Sequence, residues 1–258
     1  MSHKEYFVDT PAGKTRVWEK GRGKTVGFFA GPGGLPKWTP FLDKLSETRR
    51  VIAPSLPGFP GGASSEPLDS MLDWVLAVGD VFDAASLEGA DLVGASIGGA
   101  MAAEIAAIWP GAVRKLVLIA PFGLYDETAP VADIFAQQPA NPTGILTAKP
   151  DALRDYLAAP QGANPGEWEI QALRANVASA AIIWPLGDTR LARRLPRITA
   201  ETLLLWGDSD RVIPPAYAKK FAAGIAGKTK VQTIKGAGHM AEFDQPNAVA
   251  KAVEAFLG

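Results

Sequence analysis

The sequence holds no cysteine and only two histidines, His3 and His239. The first absence excludes disulfides, thiolate nucleophiles and cysteine-ligated zinc, and it suits a cytoplasmic setting. Two histidines are too few for a multi-histidine metal centre, so neither a metal nor a cofactor is expected. They also leave almost no choice of imidazole for acid–base chemistry. Excess charge is missing too: 26 basic and 27 acidic residues give a formal net charge of −1. That offers no electrostatic footprint for nucleic acid or an anionic membrane. No apolar run approaches a bilayer span, and the opening Met-Ser-His-Lys-Glu-Tyr lacks a signal-peptide pattern. A small-molecule substrate is the expected partner, and a homodimer is compatible with this composition. His3 reads as a solvated residue. The cluster Arg190, Arg193, Arg194 and Arg197, interleaved with leucines, reads as the wet face of a helix over Thr189–Leu195.

What is present is a rhythm. Residues 4–20 alternate polar and apolar around Pro11-Ala12-Gly13-Lys14, as in a hairpin. Near-continuous apolar strands follow at Thr25–Ala30, Arg50–Ala53, Val113–Ala120, Glu201–Trp206 and Lys230–Ile234, with a short apolar run closed by Leu92 and Val93 between the second and the third. Between them lie helical patterns at Thr39–Ser46, 68–86, 98–108 and Pro214–Ala226, with a closing helix at Pro246–Leu257. In the second of these, Leu68, Leu72, Val75, Leu76 and Phe82 recur at helical spacing. Strands apolar throughout, alternating with helices, predict an α/β fold whose mostly parallel sheet is covered on both faces. Such sheets place their sites at the carboxyl ends of the strands. The rhythm breaks between Phe122 and about Arg197, where only helical segments are read: Pro130–Gln137, Pro150–Ala159, Glu167–Ile183 and Thr189–Leu195. This block is an insertion packed over the sheet as a lid; a separate small domain is the alternative. The core is then 1–121 with 197–258, and the insertion 122–196.

The stretch Gly94-Ala95-Ser96-Ile97-Gly98 joins an apolar strand to a helix rich in alanine. It matches G-x-S-x-G, the nucleophile elbow: a serine on a sharp strand-to-helix turn, flanked by residues small enough for the turn to close. The helix start favours a developing anion beside it. Asp210 and His239 each lie in a loop directly after a strand, giving the chain order Ser96, Asp210, His239. A serine hydroxyl is barely nucleophilic near neutral pH. An imidazole must take its proton, and a carboxylate must orient that imidazole. For the acid, Asp208 competes with Asp210, and Asp126 is a weaker third.

These pieces resemble the lid-bearing serine esterases and C–C hydrolases of the α/β-hydrolase fold. The resemblance rests on Gly31-Pro32-Gly33-Gly34, Val51 to Phe59, Gly94 to Gly99, Leu204 to Asp210 and Gly236 to His239. It implies a helical lid after the sixth strand and a catalytic set of Ser96, Asp210 and His239. Asp210 is preferred because the family pattern Trp-Gly-x-x-Asp makes the second aspartate the acid. It implies an oxyanion hole with the Ile97 N–H as one donor. The other usually comes from the first loop, where proline at position 32 has no N–H. The candidates are therefore Gly33, Gly34 and Leu35. Ser55 stands where the family commonly carries an aspartate, a departure of little weight. Trp38, Phe122 and Trp184 are expected at an apolar substrate pocket. The implied activity is hydrolysis of a small carboxylic ester through an acyl-enzyme on Ser96. C–C bond hydrolysis of a meta-cleavage product with the same residues is the alternative. A non-catalytic small-ligand receptor on this fold is the rival from a different class. A serine at the elbow argues against dehalogenase and epoxide hydrolase chemistry, which the family performs with aspartate there.

Overall fold

The alternating residues of Lys4–Thr10 (β1) and Gly13–Lys20 (β2) pair antiparallel. This is seen in a computed structural model that describes residues 2–136, 144–185 and 187–258. The apolar runs become Thr25–Phe29 (β3), Arg50–Pro54 (β4), Asp91–Ala95 (β5), Lys115–Ile119 (β6), Glu201–Gly207 (β7) and Thr229–Ile234 (β8). Among the described residues these strands form one sheet in the order β1-β2-β4-β3-β5-β6-β7-β8, parallel from β4 to β8. β2 pairs antiparallel with β4 and joins the hairpin to that parallel part.

Successive strand residues point to opposite faces, so each parallel strand feeds two cores. Leu92, Leu116, Leu118 and Leu204 pack on one side, under Met71–Ala84 (α2), Ser96–Ile108 (α3) and Tyr217–Gly224 (α6). Val93, Val117, Ile119, Leu203 and Leu205 pack on the other, against Pro40–Leu45 (α1) and Pro246–Leu257 (α8). Each such side chain contributes on the order of 1.5–3 kcal/mol by leaving water. Helix starts follow their caps. Thr39 accepts the Leu42 N–H before Pro40, and Ser70 closes a reciprocal box with Asp73. In α2 the buried stripe is Trp74, Val75, Val78, Val81 and Phe82, while Leu72 and Leu76 are exposed. The leucine spacing identified the helix and misplaced part of its buried face.

Between β6 and β7 lie Pro150–Leu157 (α4), Pro165–Ile183 (α5) and two short 3-10 turns, Leu191–Arg193 and Leu195–Arg197. α5 starts two residues before the expected Glu167, because Asn164 caps it through the N–H groups of Gly166 and Glu167. The helix expected at Pro130–Gln137 does not form over its described residues. Asp133 instead draws the N–H groups of Phe135 and Ala136 into a side-chain turn. Gln137 and residues 138–143 lie outside the described residues, as does residue 186.

Arg190, Arg193 and Arg197 are exposed as expected, but on two 3-10 turns and not one helix, and Arg194 departs from the solvated face. The Arg194 guanidinium grips the buried Glu104 carboxylate of α3 with two contacts of 2.6 Å, and Arg197 donates to the Ala107 carbonyl. The Glu104 carboxylate in turn holds the Arg194 guanidinium above its ordinary pKa. This pair ties the end of the insertion to the helix that begins at Ser96. Glu104→Ala, which strands the guanidinium, is expected to lower the free energy of unfolding in urea by about 3 kcal/mol. Glu47→Ala, at an exposed pair with Lys44, is expected to change it by less than about 0.5 kcal/mol.

Candidate active site

β5 ends at Ala95 and α3 begins at once, with Ser96 at φ 54°, in the left-handed region. A non-glycine residue stays there only when its surroundings enforce it. Here the enforcement is close packing. A Cβ on Gly94 would come within 2.6 Å of the Gly98 carbonyl. A Cβ on Gly98 would overlap the carbonyl oxygens of Phe29 and Ala30 at the end of β3. The G-x-S-x-G spacing is thus a statement about clearance on both sides of the turn.

Ser96 Oγ lies 2.7 Å from His239 Nε2, and His239 Nδ1 lies 3.0 Å from Asp210 Oδ2. A carboxylate can only accept, so Nδ1 carries the proton and Nε2 presents its lone pair to the serine hydroxyl. All three residues are buried. Asp210 is fixed by the N–H groups of Val212 (2.8 Å) and Ile213 (2.9 Å), both to Oδ1. Trp206 holds that turn through the Ile213 carbonyl at 3.0 Å. The two other acids serve elsewhere. Asp208 accepts from the Gly236 N–H at 2.9 Å, joining the loops after β7 and β8. Asp126 pairs with Lys220 at 2.5 Å, a contact that draws its carboxyl down to about 2.

Gly31 sits directly against the serine; a Cβ there would meet Ser96 Cβ at 3.2 Å. Residues 31–34 form a turn closed by Gly34 N–H to Gly31 O at 3.0 Å. Pro32 and Gly33 (φ 78°) fill the two central positions of a type II turn. Gly34 therefore spends its N–H on the turn, against its place among the expected oxyanion donors. The N–H groups of Gly33 and Leu35 have no acceptor among the described residues, and that of Ile97 is equally free at the start of α3. Gly33 lines a cavity of about 470 Å³, whereas Leu35 is buried with its carbonyl held by Arg16 at 2.7 Å.

That cavity lies between the first loop and the insertion. Pro32, Leu146, Leu157, Trp168 and Ala172 make its walls, with Asn176 and Ser179 as polar groups. No charged side chain is among its described lining residues. Phe122 packs its ring edge-on to His239 at 5.6 Å and shares a crevice with Trp184 beside the cavity, although Trp184 is 61% exposed. Trp38 is turned away. It stacks on His3 at 5.0 Å and donates to Asp43 at 2.8 Å, so it does not line the cavity. His3 is correspondingly half-buried between Trp38 and Trp18, not solvated as expected.

Sequence reasoning passed over two acids just beyond His239. Ala241–Asp244 (α7) buries both Glu242 and Asp244. Asp244 accepts the N–H of Gly238 at 2.7 Å and that of Ala148 at 3.0 Å. Among the described residues Glu242 has no partner for Oε2, and burial raises its carboxyl to about 7. Their only sequence signal is two acids beside a loop histidine, a pattern common on solvated surfaces. The lift at Glu242 means the folded chain binds a proton that the unfolded chain releases near pH 4.5, so stability falls as pH rises from about 4.5 to 7. Glu242→Gln should therefore gain on the parent by about 2–3 kcal/mol between pH 4.5 and pH 8. Urea unfolding at the two pH values reads this directly, and a pH-independent difference would contradict it.

Comparison with known proteins adds four findings. A model of the Alpha/beta hydrolase family matches residues 27–252. The chain is 31% identical over 234 residues to a 2-hydroxymuconate semialdehyde hydrolase of Pseudomonas putida, covering 83% of this chain and 79% of that one. It is 23% identical to carboxylesterase YbfK of Bacillus subtilis (strain 168), covering 98% and 87%. Among solved structures, a serine hydrolase involved in carbazole degradation superposes with a TM-score of 0.79 at 25% identity, covering 99% of both chains.

Proposed function

The chain belongs to the alpha/beta hydrolase family, and on that footing we propose that it is a serine hydrolase of small, uncharged carboxylic esters. The observation that carries this reading is Ser96 Oγ at 2.7 Å from His239 Nε2, behind a first loop whose Pro32 and Gly33 line a cavity with no charged side chain among its described lining residues. In this scheme His239 Nε2 takes the Ser96 proton as Oγ attacks the ester carbonyl. The developing oxyanion is held by the N–H groups of Ile97 and Gly33. Collapse expels the alcohol, which receives the proton from His239 and leaves an acyl group on Ser96. Water then enters and gives its proton to the same nitrogen as its oxygen attacks the acyl carbonyl; collapse breaks the acyl–Oγ bond, returns the proton from His239 to Ser96 Oγ and releases the carboxylic acid. Asp210 keeps Nδ1 protonated and stabilises the imidazolium throughout. Phe122 holds the imidazole from the side, Trp184 borders the leaving group, and residues 122–196 act as the lid that keeps water out. The absence of cysteine supports a cytoplasmic setting.

C–C hydrolysis is the second reading, and the relatives favour it. Several are hydrolases of 2-hydroxy-6-oxo-dienoates, among them one from Comamonas testosteroni at 29% identity. A dienoate carries a carboxylate, and burying an anion without a cationic partner is expensive. The described lining residues carry no charge, which supports the neutral ester.

Side-by-side assays separate the two. The parent chain should turn over p-nitrophenyl esters and react with a fluorophosphonate at Ser96. Ser96→Ala should lose at least about a thousandfold in kcat and all labelling. A dienoate kcat/KM above that of every ester in a chain-length series would replace the first reading with the second.

A further inference from the structure

We propose that Asp244 is a positioning residue, the point through which the lid segment around residues 146–149 holds His239 in register with Ser96. The proposal rests on the hydrolase reading above.

Asp244 is fully buried, and both of its oxygens are used. Oδ2 accepts the N–H of Gly238, the residue just before His239, at 2.7 Å, and the N–H of Ala148 at 3.0 Å. Oδ1 accepts the Thr147 hydroxyl. A carboxylate at this depth is tolerable only with such a set of donors. One donor lies on the histidine loop and two lie on the lid segment. A second strap runs on the far side of the histidine, where Met240 N–H donates to the Leu146 carbonyl at 2.8 Å. His239 is thus flanked by two bonds, one from the residue before it that reaches the insertion through Asp244 and one from the residue after it that ends on the insertion directly. Lys149 adds a third tie, through its ammonium to the Asp244 carbonyl at 2.6 Å. The packing leaves no slack at this point, since a Cβ on Gly238 would meet Asp244 Oδ2 and the Thr147–Ala148 backbone at 3.3 Å.

The same stretch supplies Leu146 to the wall of the 470 Å³ cavity. The wall that touches substrate and the backbone that carries the base therefore form one hydrogen-bonded unit. Asp210 orients the imidazole ring from below; Asp244 fixes the peptide from which that ring projects. An error of about 1 Å in a reacting group costs on the order of a hundredfold in rate, so a peptide anchor of this kind acts on kcat more than on KM.

The test uses the full chain with Asp244→Asn, which keeps the volume but turns an amide toward three donors. Expected in the folded variant are a kcat on a p-nitrophenyl ester lowered at least about tenfold and a KM within about twofold. Labelling of Ser96 should slow in parallel. The low-field proton resonance of the His239–Asp210 bond should shift or vanish; among the described residues His3 stacks on Trp38 and has no carboxylate bonded to its ring, so the signal is assigned to His239. Thr147→Val, which removes one of the two lid donors to the carboxylate and spares the Ala148 and Gly238 bonds, should give a milder loss of kcat. Parental kcat with an unmoved resonance in folded Asp244→Asn overturns the proposal. If that variant does not fold, parental kcat in Thr147→Val overturns it. A parent chain that neither labels nor turns over ester would sink the hydrolase reading instead. The resonance would still decide Asp244: its loss in Asp244→Asn upholds the positioning role, and its persistence overturns it.

Discussion

Between Ala95 and Ile97 the backbone turns from the middle of a parallel sheet into a buried helix, with Ser96 held at a positive φ. That conformation is a local cost of order 1–3 kcal/mol, offset by packing from three sides. β3 delivers Phe29 and Ala30 against Gly98, the first loop delivers Gly31 against the serine, and the helix closes on Gly94. The arrangement has to be rigid, because Gly31, His239 and the Asp210 behind it arrive on three different loops. Their common reference frame is the sheet. The helix that starts at Ser96 is clamped further along, where Glu104 receives Arg194 from the end of the insertion. Ser96 is therefore held at both ends of its helix by parts of the chain distant in sequence.

The acids of the site are sorted by environment, not by type. Asp208 and Asp210 are two residues apart, yet one joins two loops at the surface and the other meets the histidine in the interior. Asp244 and Glu242 are likewise two apart. One saturates its oxygens with N–H and O–H donors, while the other is buried with an oxygen unpartnered and takes up a proton near neutrality. Burial alone does not decide the charge state of a carboxyl; the count of donors aimed at it does.

Much of this could be read from the chain. Strands with apolar residues on both faces, such as Leu116 to Ile119, announced a covered parallel sheet, because only burial on two sides makes such a run favourable. The elbow and the loop histidine were legible because their chemistry restricts residue type. Packing direction was harder to read. Leu72 and Leu76 have the spacing of a buried stripe and lie in solvent, since the tertiary neighbours of α2 are met by Trp74 and Val78. Trp38 follows the first loop in sequence, but Asp43 and His3 draw its ring to the other side. Gly34 could not be told from Gly33 without the turn that consumes its N–H. Asp244 gave no signal, because its partners at 147, 148 and 238 come together only in three dimensions.

Proline at position 32 removes an N–H from the loop beside the nucleophile, yet the turn it nucleates has a second effect. Its ring fixes one backbone angle in every conformation the chain visits, so this loop loses less freedom on folding than a run of glycines would. The dipoles facing Ser96 are thereby arranged before any ligand arrives. Variation in the insertion can reshape what the cavity admits without relaxing the loop opposite. The division lets the two halves of the site drift at different speeds: the sheet side keeps the reaction, and the helical side is free to change what is reacted.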